Sequence, residues 1–391
     1  MTTNFLQNGI DLDQVIIPKT NKFIIPRVLW KTDNEFWINS EKSLWSWGRN
    51  GFGNLGLGDI THRSSPVQVG LLTNWSQVAI GEYHSLAIKA DGSIWSWGQN
   101  NNGQLGVGDI THRSSPVQIG SLTNWSLVAG GQNHSLAIKT DGTLWIWGEN
   151  SYGQLGLSDL THRSSPVQVG SLTNWSRVAG GGYHSIAIKT DGTLWSWGWN
   201  GFGQLGLGNT TSRSSPVQVG TLTNWSQVAS GRSCSFAIKT DGTLWSWGNN
   251  GNGQLGVGDR NNYSSPVQVG TLTNWSLVAS GGYYSLAAKT DGSIWSWGTN
   301  FNGQLGLGDT SARSSPVQVG SLTNWSRVAG GQNHSLAIKT DGTLWIWGQN
   351  SYGQLGLSDL THRSSPVQVG SLTNWSQVAC GLSNTLILKY E

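Results

Sequence analysis

Asp191-Gly192-Thr193-Leu194-Trp195-Ser196-Trp197-Gly198 returns unchanged at 241–248, and close relatives stand every fifty residues along the chain. Ahead of it, Ser185-Ile186-Ala187-Ile188-Lys189 alternates branched apolar with small or polar residues, a period that fits a pleated strand better than a helix. Strand, two-residue turn and strand are all present. Asp-Gly suits a type I′ turn because both central residues need φ > 0, which Gly tolerates and Asp approximates. The stretch reads as a β-hairpin, repeated.

Trp-Ser-Trp-Gly or Trp-Ile-Trp-Gly occurs at 45, 95, 145, 195, 245, 295 and 345, and Asn-Trp-Ser at 74, 124, 174, 224, 274, 324 and 374. These markers take 21 of the 24 Trp, leaving Trp30, Trp37 and Trp199 outside the period. Within one period four strands are expected, at 76–79, 85–89, 94–97 and 116–119. Four short strands per fifty residues make a propeller blade. One blade cannot bury both faces of its sheet, and closing seven into a ring leaves no face exposed. The fold class is therefore all-β, a seven-bladed β-propeller of four-stranded antiparallel blades. The domains are 1–34, an N-terminal extended arm outside the repeats, and 35–391, the propeller.

Closure follows from the ends. Thr385-Leu386-Ile387-Leu388-Lys389 stops where the next Asp-Gly turn would begin, while Leu44-Trp45-Ser46-Trp47 supplies a third strand. N- and C-terminal strands should share one blade. Phe36-Trp37-Ile38-Asn39 also aligns with the second-strand slot, so two segments compete for it, the C-terminal one being favoured.

Composition bounds the function. The chain has 391 residues, 11% of them charged, net charge +3, with 55 Gly and 24 Trp. Gly at this level without a collagen period fits many tight turns, and dense Trp supplies the buried area that a disordered chain lacks. Cys234 and Cys380 sit at different repeat positions, which is neither a disulfide framework nor a metal knuckle. The start lacks the basic and apolar regions of a signal peptide, and no run reaches membrane-spanning length. The expectation is a cytoplasmic protein or part of a virus particle, without membrane insertion.

Gly331-Gln332-Asn333-His334-Ser335-Leu336-Ala337-Ile338-Lys339-Thr340-Asp341-Gly342-Thr343-Leu344-Trp345-Ile346-Trp347-Gly348, followed by Asn350 and Gly353-Gln354-Leu355-Gly356, resembles the repeat of the regulator of chromosome condensation family. The resemblance covers 43–391 and implies a seven-bladed propeller. For the family's best-known member it also implies guanine nucleotide exchange on a small GTPase, through a wedge on one face. This chain has no inter-repeat insertion and no basic tail to match that wedge. Asn8-Gly9-Ile10-Asp11-Leu12-Asp13-Gln14-Val15 is similar to openings of phage virion proteins, which would make 1–34 an attachment arm.

Motifs that suggest chemistry have simpler readings. Gly51-Phe52-Gly53-Asn54-Leu55-Gly56 satisfies G-x-G-x-x-G, but Leu-Gly and then Ser-Ser-Pro follow where a dinucleotide site needs a helix. Asn-Trp-Ser reads as a turn with an αL Asn and an inward Trp rather than a glycosylation acceptor. His84, His134, His184 and His334 share one register, and His62, His112, His162 and His362 another; hydrogen bonds to loops are the expected role, a ring of ligands near the axis the sharper one. Lys89, Asp91, Arg63 and Asp59 recur in balance, solvated or tying turns, with no basic face for nucleic acid. No catalytic residue, metal site or cofactor is expected.

A near-sevenfold object offers each surface seven times, so a specific site must lie where the repeats differ. They differ at 80–84, 99–102 and 110–113 and their counterparts. In a four-stranded antiparallel blade the first-to-second and third-to-fourth loops emerge on one side, so one face is variable and the other nearly constant. On the variable face we place a candidate binding set of Tyr83, Tyr152, Tyr183, Trp199, Phe202, Arg232, Tyr283, Tyr284, Phe301 and Tyr352. Exposed aromatics among Gly, Asn and Gln suit protein or glycan contacts. The leading expectation is a non-enzymatic scaffold that binds a protein partner or joins a larger assembly such as a virion; exchange on a GTPase and glycan binding are the alternatives.

Overall fold

The computed structural model describes residues 28–30, 36–38 and 41–391. The chain divides into two units, Met1–Ser40 and Glu41–Glu391. In the first, β1 (Val28–Trp30) pairs antiparallel with β2 (Phe36–Ile38). The attachment arm expected at 1–34 lies, but for β1, outside the described residues.

The second unit is seven four-stranded antiparallel sheets. Blade 1 runs β5 (Trp75–Ile80), β6 (His84–Lys89), β7 (Ile94–Gly98) and β8 (Arg113–Gln118), and the pattern repeats every fifty residues through blade 6, which ends at Arg363–Gln368. Blade 7 takes β29 (Trp375–Cys380) and β30 (Asn384–Tyr390) from the C-terminus and β3 (Lys42–Gly48) and β4 (Arg63–Gln68) from the start. Leu44 lies opposite Leu388 and Trp47 opposite Thr385, so the C-terminal segment takes the contested slot. Phe36–Ile38 is paired with β1 instead. The fourth strand begins three residues earlier than the sequence predicts, because Arg113 pairs with Gly98 across a bulge.

The octapeptide forms its hairpin with a different turn. Only Gly of each Asp-Gly pair has positive φ, 77° at Gly192, and Gly192 N–H donates to the Lys189 carbonyl while Lys189 N–H donates to that of Thr193. The loop therefore holds three residues, a tight turn closed by a left-handed Gly, and Asp191 is relieved of positive φ. Its carboxylate instead accepts from the Thr193 N–H at 2.9 Å and hydroxyl at 2.7 Å. The Asn of Asn-Trp-Ser is likewise outside the left-handed region, which among non-glycines of the described residues only Ser158 and Ser358 occupy.

Alternation along the strands directs one set of side chains at each neighbouring blade. Leu86, Ile88 and Ile94 of blade 1 pack against Trp125, Val128, Ala137 and Trp147 of blade 2. Leu44, Val69, Leu386 and Leu388 of blade 7 meet Trp75, Ala87 and Trp97 of blade 1 in the same way, closing the ring. Trp97 is fully buried, and its Nε1–H donates to the Asn54 carbonyl of the preceding blade at 3.1 Å. Gly56 lies flat on that indole: a Cβ there would stand 2.8 Å from Nε1, so the glycine-rich loop is shaped for Trp packing. The loop is followed by bends and strand. Lys89 is not solvated as expected but buried, its ammonium 3.6 Å above the Trp95 ring. Arg63 and Asp59 do tie a turn, at 2.5 Å.

Candidate functional site on the variable loop face

Each blade sends its first-to-second loop (81–83 in blade 1) and its third-to-fourth loop (99–112) to one face. One device fixes the longer loop. Asn100, buried at its base, accepts the Leu105 N–H on Oδ1 and donates Nδ2–H to the Asp109 carbonyl, both at 2.9 Å. The Asn100 N–H in turn donates to His112 Nδ1 at 3.0 Å. Ser212 and Asn262 replace that imidazole in blades 3 and 4, so the second histidine register is a loop latch, as the sequence predicts.

The first histidine register lies beneath the short loops. His84 is fully buried, with Nε2 2.8 Å from the Ser135 hydroxyl of the next blade. Ser135 Oγ gives its own hydrogen to the Gln104 carbonyl at 2.8 Å. It can therefore only accept from histidine, which fixes the neutral Nε2–H tautomer. Nδ1 of His84, His134, His184 and His334 has no hydrogen-bond partner among the described residues. Burial holds the imidazolium form down, to a pKa of about 3 for His84, His134 and His334 and about 4 for His184. Each ring packs against the glycine at the start of its loop, where a Cβ would overlap it. Among the described residues no three His, Cys, Asp or Glu side chains group as metal ligands would.

Tyr284 belongs to this buried layer, not to the surface set. It holds the histidine register in blade 5, is fully buried, and its hydroxyl reaches the His334 carbonyl at 2.5 Å. The sequence placed it outside because Tyr283-Tyr284 reads as a pair, whereas adjacent residues at a strand start point to opposite sides.

The remaining candidates do meet. Tyr152, at the tip of the blade 2 loop, lies edge-on to Tyr183 of blade 3 with centroids 5.3 Å apart, and 6.1 Å from Trp199. Trp199 in turn lies 5.3 Å from Phe202, so four side chains from two blades form one aromatic patch. A second patch joins blades 6, 7 and 1: the Arg49 guanidinium sits 5.1 Å from the Tyr352 ring and 5.3 Å from Tyr83, and Phe52 lies 5.3 Å from Tyr83. Arg232 stands 6.0 Å from the Tyr283 ring. Phe301 is 75% exposed and makes none of these ring contacts.

Arg49, Phe52 and Glu82 are functional candidates that the sequence reading did not name. Their signal was present, since Arg49 aligns with Trp199 and Phe52 with Phe202. Glu82, at the axial end of its loop, is raised above its ordinary carboxyl range by burial, with Arg232 and Arg49 opposing. Burial likewise raises Tyr183, with Glu149 adding to it.

The regulator of chromosome condensation (RCC1) repeat model matches residues 42–88, 91–138, 141–188, 191–238, 241–288, 291–338 and 341–388. The chain belongs to the RCC1 repeat family. A search of curated protein sequences finds no match. Among solved structures, human WBSCR16 is 25% identical with a TM-score of 0.81, over 90% of this chain and 99% of that one. Yeast RCC1 (Prp20) bound to Kap60 is 22% identical with a TM-score of 0.80, over 90% and 89%. Prp20p from Saccharomyces cerevisiae, described with its binding to Gsp1p and histones, is 23% identical with a TM-score of 0.81, over 90% and 92%. The two yeast likenesses establish the RCC1 fold at this level of identity, with site residues left to this chain's own surface.

Proposed function

We propose that this RCC1-repeat protein is a non-enzymatic binding platform whose variable loop face holds a protein partner. The observation that carries the reading is the patch of Tyr152, Tyr183, Trp199 and Phe202, assembled across two blades from positions where the repeats differ. Tyr, Trp and Arg are the residues that dominate interface energetics, because they bury much area at little entropic cost. The constant face, with its Asp-Gly turns, offers no single place to dock. Protein binding also accords with the yeast relatives, described as bound to Kap60 and as binding Gsp1p and histones.

The test begins with crosslinking of the native protein to identify its partner, followed by affinity measurement on purified components. Trp199→Ala and Tyr183→Ala should each weaken binding by about 2 kcal/mol, the hot-spot range, while Asp141→Asn on the constant face leaves it unchanged. A partner that binds all three variants as it binds wild type would remove the reading.

Nucleotide exchange is the second reading, and the yeast fold likeness is what keeps it. Accelerated release of labelled guanine nucleotide from a small GTPase would put it first. A glycan on the same patch would show as retention on a glycan array that Trp199→Ala abolishes. For residues 1–34 the proposal is tethering to a larger assembly, a phage particle being the instance their opening suggests. Normal assembly of a chain lacking them would end it.

A further inference from the structure

On the loop face the axial channel opens into a funnel of about 180 Å³, lined by three residues from the end of each innermost strand. Most of these are glycines, so the wall is largely backbone, and neighbouring loops are stitched by hydrogen bonds such as Gly182 N–H to the Arg232 carbonyl at 3.0 Å. Two lining side chains carry a carboxyl or guanidinium group. Glu82 comes from blade 1 and Arg232 from blade 4, across the ring from each other. No ion pair joins them among the described residues. Two lining residues, Gln132 and Ser230, each hold a buried oxygen, Oε1 and Oγ, that has no hydrogen-bond partner among the described residues.

We propose that this funnel binds a small zwitterion of the α-amino-acid class, its carboxylate on Arg232 and its ammonium on Glu82. The volume slightly exceeds the ~150 Å³ cavity that takes up benzene, which suits a molecule of amino-acid size. A ligand of one charge would pair with one of the two opposed groups and leave the other unpaired, whereas one carrying both matches the site. Arg49 is not required, since its guanidinium is already placed against Tyr83 and Tyr352. The site is distinct from the Trp199 patch, so the two proposals fail separately.

The test is calorimetric titration of the full chain with glycine, alanine, serine and glutamine, and with acetate and methylamine as single-charge probes. At least one amino acid should bind about tenfold or more tightly than either probe. Arg232→Gln and Glu82→Gln should each weaken that binding about tenfold or more. Gln stands at this register in Gln132 and Gln332, so both variants keep a side chain the fold already accommodates, and unchanged Trp fluorescence verifies it. Absence of binding by all four amino acids, acetate binding as tightly as they do, or wild-type affinity in both variants would each overturn the proposal.

Discussion

Replacing the buried histidines should remove most of the protein's acid sensitivity above pH 4.5. His84, His134, His184 and His334 are neutral in the fold, with pKa values of about 3 to 4, against about 6.5 in an unfolded chain. Between these values the unfolded state binds a proton that the folded state refuses. Stability is therefore full above pH 6.5 and falls as the pH drops toward the folded pKa. At pH 5 the loss is about 2 kcal/mol per histidine, or ~8 kcal/mol for four, comparable with the whole stability of a typical domain. Aspartates such as Asp191, whose pKa is lowered by its bonds to Thr193, give stability that is full above their unfolded value of about 3.9 and is lost only below it, so they add little to the change between pH 7.5 and 5.0. The assay is guanidinium unfolding followed by Trp fluorescence at pH 7.5 and pH 5.0. Wild type should lose several kcal/mol between the two, and a His84→Asn, His134→Asn, His184→Asn, His334→Asn variant should lose little. Asn is the informative replacement because Asn384 fills this register in blade 7, beneath Gly381. A wild-type midpoint that does not move, or a variant that keeps the wild-type dependence, would refute the assignment of neutral, proton-refusing imidazoles.

Three further outcomes follow from the packing. Trp97→Leu should cost about 3 kcal/mol, for the cavity and for the Asn54 carbonyl that loses its indole donor, read as a shift in unfolding midpoint. Gly181→Ala should destabilise by about 1–3 kcal/mol, since the new methyl overlaps the His184 ring, read as a shift in unfolding midpoint. Arg163→Ala should cost less than about 1 kcal/mol, because its 2.5 Å pair with Asp159 is partly solvated, and the effect should shrink further in 1 M salt. Blade 4 supports that last expectation, since Tyr263 donates to Asp259 at 2.7 Å in the arginine's place.

The fold was legible because its signal is repeated. A single Asp-Gly between alternating runs marks a hairpin; seven Trp-x-Trp-Gly markers at one spacing mark seven blades, and the C-terminal strand fits the slot that β3 leaves open. What the sequence misjudged is local. The turn at Asp191-Gly192 spans three residues because the Lys189 carbonyl bonds to Gly192 rather than Thr193, and composition does not distinguish the two. Lys89 looks like a solvated partner for Asp91 until the sheet brings its ammonium against the Trp95 and Trp75 rings. The candidate site shows the same division between what recurs and what does not. Repeat comparison identified Tyr152, Tyr183, Trp199 and Phe202, but their contact depends on loop tips of one blade reaching the short loop of the next, which no spacing within a repeat encodes. Tyr284 and Glu82 are the instructive pair. Both sit in variable stretches, two residues apart in register, yet the strand start at register 84 turns one inward beneath the loops while the loop at register 82 carries the other to the axis. Variation between repeats therefore marks where this face differs, and the register within the loop decides whether a difference reaches the surface.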